Sequence, residues 1–124
     1  MHALIVDDSS AMRAFLRLAL KGAGFSTAEA RNGREGLQSL ERSNPDIVLL
    51  DWNMPEMDGF SMLRAMRADA RWKDVKVMMV TTETEMAEMA RALGAGADEY
   101  VMKPFTREVI LEKLEILGMM PQAL

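Results

Sequence analysis

Short strand-like runs alternate with segments of helical period five times along this chain. The runs lie at residues 3–6, 26–30, 47–50, 77–80 and 99–102. Five β-α units in a chain of 124 residues call for a parallel sheet, because each helix carries the chain back across the sheet before the next strand begins. The runs differ in composition. Ala3-Leu4-Ile5-Val6, Ile47-Val48-Leu49-Leu50 and Val77-Met78-Met79-Val80 are almost unbroken apolar stretches, as strands covered on both faces are. The stretches 26–30 and 99–102 carry polar residues and belong at the edges. The composition is compatible with strand order 2-1-3-4-5. The expected fold class is therefore α/β, a single doubly wound domain with helices on both faces. Its switch point falls between the first and third strands, and open α/β sheets bind ligands at the carboxyl ends of such strands.

The helices can be placed from their caps and periods. The first starts at Ser9 or Ser10, turns Met12, Phe15, Leu16 and Ala19 inward, and stops at Gly22 and Gly24. Asn32-Gly33 opens a short second helix that buries Leu37 and Leu40, and Asn44-Pro45 breaks the chain after it. Asp58 caps a third helix with Phe60, Leu63 and Met66 inward. Residues 69–76 read as a polar loop. Thr82 and Glu85 have capping-box spacing before a fourth helix whose inward face is Met86, Met89, Ala90 and Leu93. Gly94-Ala95-Gly96-Ala97 ends that helix. Thr106 caps a fifth, with Val109, Ile110, Leu114 and Leu117 inward and Gly118 at its end. The last six residues are expected to fray.

Composition excludes several function classes. With no cysteine there is no disulfide, thiolate metal site or thiol catalysis. No apolar run approaches the roughly 20 residues that cross a bilayer. The amino terminus reads as a first strand rather than a signal peptide, so a cytoplasmic protein without membrane contact is expected. The net charge of −4 and the lack of a Lys/Arg stripe argue against nucleic-acid binding. Thirteen methionines serve either as gap-fillers in the core or as an adaptable partner surface, and the core is the simpler reading.

Four of the runs stop at residues suited to one chemistry. The first ends at Asp7-Asp8, the third at Asp51, the fourth at Thr81-Thr82 and the fifth at Lys103-Pro104. Each has an ordinary explanation alone: a helix cap, a turn, a β-branched strand end, a solvated lysine. Together, at one sheet edge, three carboxylates repel unless a cation sits among them. Mg²⁺, or Mn²⁺ in its place, suits oxygen ligands and joins carboxylates to phosphate. The single histidine leaves nothing to favour zinc. A carboxylate can also take up a phosphoryl group as a nucleophile, and Asp51, at the end of the central strand, is the candidate. Lys103 would offset the charge this adds, and the Thr81 hydroxyl can donate to a phosphoryl oxygen.

These residues carry a family resemblance. Asp7-Asp8, the stretch Asp51-Trp52-Asn53-Met54-Pro55-Glu56-Met57-Asp58-Gly59, Thr81 and Lys103-Pro104-Phe105 resemble the receiver domain of two-component response regulators, over nearly the whole chain. Asp51-Trp52-Asn53-Met54-Pro55, Lys103-Pro104-Phe105-Thr106 and the ending Glu112-Lys113-Leu114 to Leu117-Gly118-Met119 are most similar to its stand-alone chemotaxis regulators. The order 2-1-3-4-5 is also the family's known order, so the two readings of it are not independent. The resemblance implies a receiver domain over residues 1–124 with no output domain. It implies Asp51 as phosphoacceptor. Asp8 and Asp51 would bind Mg²⁺ directly, Asp7 through water, and Asn53 through its backbone carbonyl. Thr81 and Lys103 would contact the phosphoryl group, the Lys103-Pro104 bond would be cis, and Tyr100 would be the aromatic switch. Asn53 and Glu83 would set how fast water removes the phosphoryl group, as in the short-lived chemotaxis type.

The implied partners are a sensor histidine kinase or histidine phosphotransfer protein, and an output protein such as a flagellar switch component. The output protein would dock on the face of the fourth helix, fifth strand and fifth helix, with the chain a monomer. The implied role is a phosphorylation switch without separate substrate turnover, controlling chemotaxis and flagellar rotation. A phosphorelay shuttle or a regulator of another pathway is the nearest alternative. An aspartate-nucleophile phosphatase would want a second acid where Asn53 stands, and a flavin carrier would want a phosphate cradle where Asp7-Asp8 stand.

Overall fold

The computed structural model describes residues 1–120. Five strands form one parallel sheet in the order β2-β1-β3-β4-β5. They are β1 (His2–Val6), β2 (Ser26–Ala30), β3 (Ile47–Asp51), β4 (Lys76–Thr81) and β5 (Glu99–Met102). The helices are α1 (Ser10–Gly22), α2 (Gly33–Ser43), α3 (Gly59–Arg67), α4 (Met89–Gly94) and α5 (Arg107–Ile116). The expected fold class and both edge assignments are thus observed.

The unbroken apolar runs make two cores rather than one. Neighbouring side chains on a strand point to opposite faces. Leu4, Val6, Val48, Leu50, Val77 and Met79 therefore face α2 and α3, where Leu40, Met62, Leu63 and Met66 meet them. Ala3, Ile5, Ile47, Leu49, Met78 and Val80 face the other way, onto Leu16 and Leu20 of α1 and Ile110 and Leu114 of α5. All of these strand residues are buried, and a fully buried Leu or Ile contributes about 1.5–3 kcal/mol. Met54, Met62, Met66, Met78, Met79, Met89 and Met119 are buried, so the methionines serve chiefly as core.

The caps fall where the sequence places them. Ser9 accepts from the Met12 N–H at 3.2 Å, Asn32 from Glu35 at 2.9 Å, Asp58 from Ser61 at 2.8 Å and Thr106 from Val109 at 3.3 Å. Each satisfies a donor that the first helical turn leaves without a partner. Gly24, at φ 94°, closes α1 as the left-handed residue beyond its end.

Four expectations are corrected. Phe15 is 38% exposed: Leu16, Ala19 and Leu20 fill the inward face of α1, and Phe15 lies instead against Phe105 with ring centroids 5.8 Å apart. The fourth helix begins as a 3-10 stretch, Glu83–Glu88, before α4. The change of period leaves Met89 and Ala92 buried and turns Ala90 and Leu93 outward. The segment 69–76 is not simply a polar loop. It holds a 3-10 turn at Ala70–Trp72 that buries Trp72, and Val75 is buried beyond it. Arg67 makes this burial affordable by donating to the carbonyls of Trp72 at 2.9 Å, Val75 at 2.7 Å and Gly96 at 3.0 Å. It also pairs with Asp98 at 3.1 Å. Finally, Met119 is buried and Met120 packs beside it on the α1–α5 core, rather than fraying. The rest of that expectation, on residues 121–124, lies outside the described residues.

The loop from Trp52 to Asp58 is pinned at its far end. Gly59 donates its N–H to the Trp52 carbonyl at 2.9 Å, and a Cβ placed there would collide with the Asp51 carbonyl oxygen. Relief requires β3 and α3 to separate, since the obstruction is backbone. Gly59→Ala is expected to lower stability by about 1–3 kcal/mol, as overpacking typically does. Urea unfolding midpoints measure this, and an unchanged midpoint would show that the junction yields freely.

Candidate functional site

The parallel register carries the strand ends to one edge. Val6 pairs with Leu50, Asp51 with Val80, and Thr81 with Met102. Asp7, Asp51, Thr81 and Lys103 consequently stand side by side across four strands, with Asp8 next to Asp7 on the loop into α1. Asp7, Asp51 and Thr81 are buried, while Asp8 is exposed.

Lys103 Nζ donates to Asp51 Oδ1 at 3.2 Å and lies 3.7 Å from Asp7 Oδ2. Its backbone N–H donates to the Thr81 carbonyl at 2.7 Å, so β5 remains tied to β4 up to the site. The Lys103-Pro104 peptide bond is cis. Asp7 Oδ1 accepts the Ser9 N–H at 2.9 Å, and the Asp7 carbonyl accepts from Arg13 at 2.8 Å. Arg13 was not evident from sequence. It also pairs with Glu29 of β2 at 3.1 Å and so braces the loop that carries the two aspartates.

One oxygen from each of Asp7, Asp8 and Asp51 lies within 4.8 Å of the others. Asp7 Oδ2 is buried and has no hydrogen-bond partner. A buried carboxylate oxygen left so is costly, and a hard cation held by the three oxygens removes that cost. The donor set therefore fits a divalent metal. Two of the three, Asp7 and Asp51, are also hard to ionise. Burial pushes the Asp51 carboxyl up to about 6, with the Asp7 charge adding to the effect and Lys103 opposing it. Burial likewise raises Asp7, against the pull of the Ser9 N–H and Lys103. Burial by itself would lower Lys103, but Asp51 and Asp7 outweigh it and hold the ammonium above its ordinary range.

Thr81 stands at the site but its hydroxyl is directed elsewhere. It donates toward Glu85 Oε1 at 3.2 Å and lies 3.3 Å from the Thr82 carbonyl. Asn53 is exposed on the loop after β3. Tyr100 is half-buried on β5 against the core under α4, with the Lys113 ammonium 5.0 Å from its ring centroid. The expectation for Glu83 concerns a side chain outside the described ones. Glu85 was recognised in the sequence only as a cap, because no pattern shows that its carboxylate also reaches the strand end.

The comparisons with known proteins fit this geometry. A profile of the response regulator receiver domain matches residues 3–115. The chain belongs to that family: it is the receiver domain of a two-component response regulator, a signalling switch rather than a substrate-turnover enzyme. It is 47% identical to the chemotaxis protein CheY of Pseudomonas aeruginosa over 116 residues, covering 93% of this chain and 94% of that one. It is 40% identical to chemotaxis protein CheY1 of Helicobacter pylori over 119 residues, covering 94% and 96%. The solved structure of the chemotaxis response regulator CheY4 of Vibrio cholerae superposes with a TM-score of 0.87 at 33% identity, covering 94% and 97%. Among the described residues no helix is long and apolar enough to cross a membrane.

The raised Asp51 pKa has a consequence for stability. The folded protein holds that proton more tightly than the unfolded chain, whose carboxyl titrates near 3.8. Asp51 therefore favours folding below that value, and the benefit is lost as pH rises to about 6. In metal-free buffer, Asp51→Asn is expected to be more stable than the parent at pH 7 by about 1–3 kcal/mol. The gain should shrink toward pH 4, where the Asp51 carboxyl of the folded parent is protonated and, like the amide that replaces it, uncharged. Thermal unfolding across this range checks it, and a gain independent of pH would contradict the burial argument.

Proposed function

We propose that this chain is a cytoplasmic phosphoaspartate switch of the chemotaxis type, with Asp51 as phosphoacceptor. The carrying observation is the pair of buried carboxylates, Asp7 and Asp51, with the half-buried Lys103 ammonium beside both and an Asp7 oxygen that has no hydrogen-bond partner. Asp7, Asp8 and Asp51, with the backbone carbonyl of Asn53, would hold Mg²⁺. When bound, the ion neutralises charge shared by the carboxylates and a transferring phosphoryl group.

The protein's own groups define the rest of the reaction. An Asp51 carboxylate oxygen attacks phosphorus of a phosphohistidine on a kinase or phosphotransfer protein. The new O–P bond forms as the P–N bond breaks, and the electron pair returns to the imidazole, which takes up a proton. Lys103 already lies on Asp51 and can follow the negative charge onto the phosphoryl oxygens, where a preorganised cation counts most. Ser9 and Arg13 hold Asp7 and its loop in place. Thr81 then turns its hydroxyl to the phosphoryl group and Tyr100 rotates inward, which changes the surface of α4, β5 and α5. Exposed Leu93, Met102 and Ile116 lie on those elements and suit an apolar contact with an output protein. The similarity to chemotaxis proteins makes a flagellar switch component the favoured partner, bound by a monomer of this chain.

Incubation with acetyl phosphate and Mg²⁺ is expected to add one phosphoryl group, read by intact mass. Chelation of the metal or Asp51→Asn should abolish it, and labelling that survives Asp51→Asn would overturn the assignment. Capture experiments with the Mg²⁺-beryllofluoride form distinguish the pathway. Recovery of a flagellar switch protein supports motor control, whereas recovery of a histidine phosphotransfer protein alone favours a relay. Thr81→Ala is expected to keep phosphorylation but uncouple it from capture.

A short phosphoryl lifetime is part of the same proposal, with Asn53 and Glu83 as its determinants. Changing both residues is expected to alter the rate of phosphoryl loss after the donor is removed. An unaltered rate would remove them from that role.

A further inference from the structure

The Thr81 hydroxyl has a single proton to donate. Two acceptors lie within its reach, Glu85 Oε1 at 3.2 Å and the Thr82 carbonyl oxygen at 3.3 Å, and the charged carboxylate is the stronger of the two. Glu85 Oε1 also accepts the Thr82 N–H at 3.0 Å, and the Glu85 N–H returns to the Thr82 carbonyl at 3.0 Å. One carboxylate oxygen thus binds the last residue of β4 to the opening of the 3-10 stretch that leads into α4. Thr81 is fully buried and Glu85 half-buried, so the contact is largely sheltered from water. At 3.2 Å the contact is long for a hydroxyl on a carboxylate, so its net worth is that of an ordinary hydrogen bond, which a phosphoryl group can displace.

We infer that Glu85 is a positioning residue that latches Thr81 in the resting state, competing with the phosphoryl group for the threonine proton. This inference rests on the phosphoaspartate reading of Asp51. A phosphoryl group on Asp51 can engage Thr81 only when the Glu85 bond is given up. Release then frees a carboxylate that also anchors the start of the segment before α4. The competition therefore links the chemistry at the strand end to the helix through one atom, Glu85 Oε1. It also sets a threshold: the resting state is stabilised by the latch, and phosphorylation must exceed that stabilisation to shift the population.

The test uses the whole chain with beryllofluoride at saturating Mg²⁺. Binding is followed by the fluorescence of Trp52, next to Asp51. Glu85→Gln keeps the shape and a neutral acceptor, and Glu85→Ala removes the acceptor. Both are expected to tighten beryllofluoride binding, by about three- to tenfold for the alanine variant, the net worth of one hydrogen bond. Affinity for Mg²⁺ alone should not change. In a Thr81→Ala background the Glu85 substitutions should have no further effect, whereas in Thr81→Ser, which keeps the hydroxyl, the effect should return. If the Glu85 substitutions tighten binding equally without the threonine hydroxyl, Glu85 acts only as a cap or by charge, and the latch is overturned. If the parent protein binds no beryllofluoride in the presence of Mg²⁺, the phosphoaspartate reading itself falls, and the latch with it. The two failures are therefore distinguishable.

Discussion

The ammonium of Lys103 lies 3.2 Å from Asp51 and 3.7 Å from Asp7, at the end of a sheet whose interior is otherwise apolar. Two buried carboxylates so close would repel each other without it. The surrounding structure holds this arrangement in place. The β4–β5 ladder continues to the Lys103 N–H, and Arg13 and Ser9 secure the Asp7 loop. The tight junction at Gly59 anchors the chain just after Asp51. A parallel sheet supplies the common edge, because all five strands run in one direction and their carboxyl ends are adjacent.

The two cores explain why the site can be both buried and responsive. Beneath α1 and α5, the large residues Ile5, Leu16, Leu20, Ile47, Leu49 and Met78 are fully enclosed. On the other face, α4 spans only Met89–Gly94 and is entered through a 3-10 stretch rather than a full helical turn. It buries Met89 and Ala92, whereas α3 on the same face buries Gly59, Met62, Leu63 and Met66. Short, weakly buried elements are those most readily rearranged at small cost. The segment joined to Thr81 through Glu85 is of this kind, so a change of hydrogen bonding at the strand end meets a part of the fold able to move.

Much of this was legible in the chain. The five-fold alternation, the apolar runs of the central strands and the caps at Ser9, Asn32, Asp58 and Thr106 are local patterns, and local patterns survive folding when nothing opposes them. The site residues were legible for a related reason. Polar residues directly after apolar runs must lie at strand ends, and parallel strands bring such ends together. What was not legible depended on contacts distant in sequence. Arg67 reaches the carbonyls of Trp72, Val75 and Gly96, and so turns an apparently polar loop into packed structure. Phe15 follows the helical period but finds the inward face already filled. The 3-10 stretch before α4 shifts the helical phase, so Ala90 and Leu93 face outward although their spacing suggests otherwise.

By itself, the sequence determined the order of elements, the apolar identity of the central strands and the chemical types at their ends, because each is written in periods and boundaries a few residues long. It also carried the family motif in Asp7-Asp8, Asp51, Thr81 and Lys103. Only the tertiary structure decided which oxygen each polar atom meets. Lys103 pairs with Asp51 across 52 residues of chain, an Asp7 oxygen is enclosed without a hydrogen-bond partner, and the Thr81 hydroxyl comes within hydrogen-bond distance of Glu85. These outcomes depend on angstrom-scale positions set jointly by the sheet and both cores, and no local pattern specifies them.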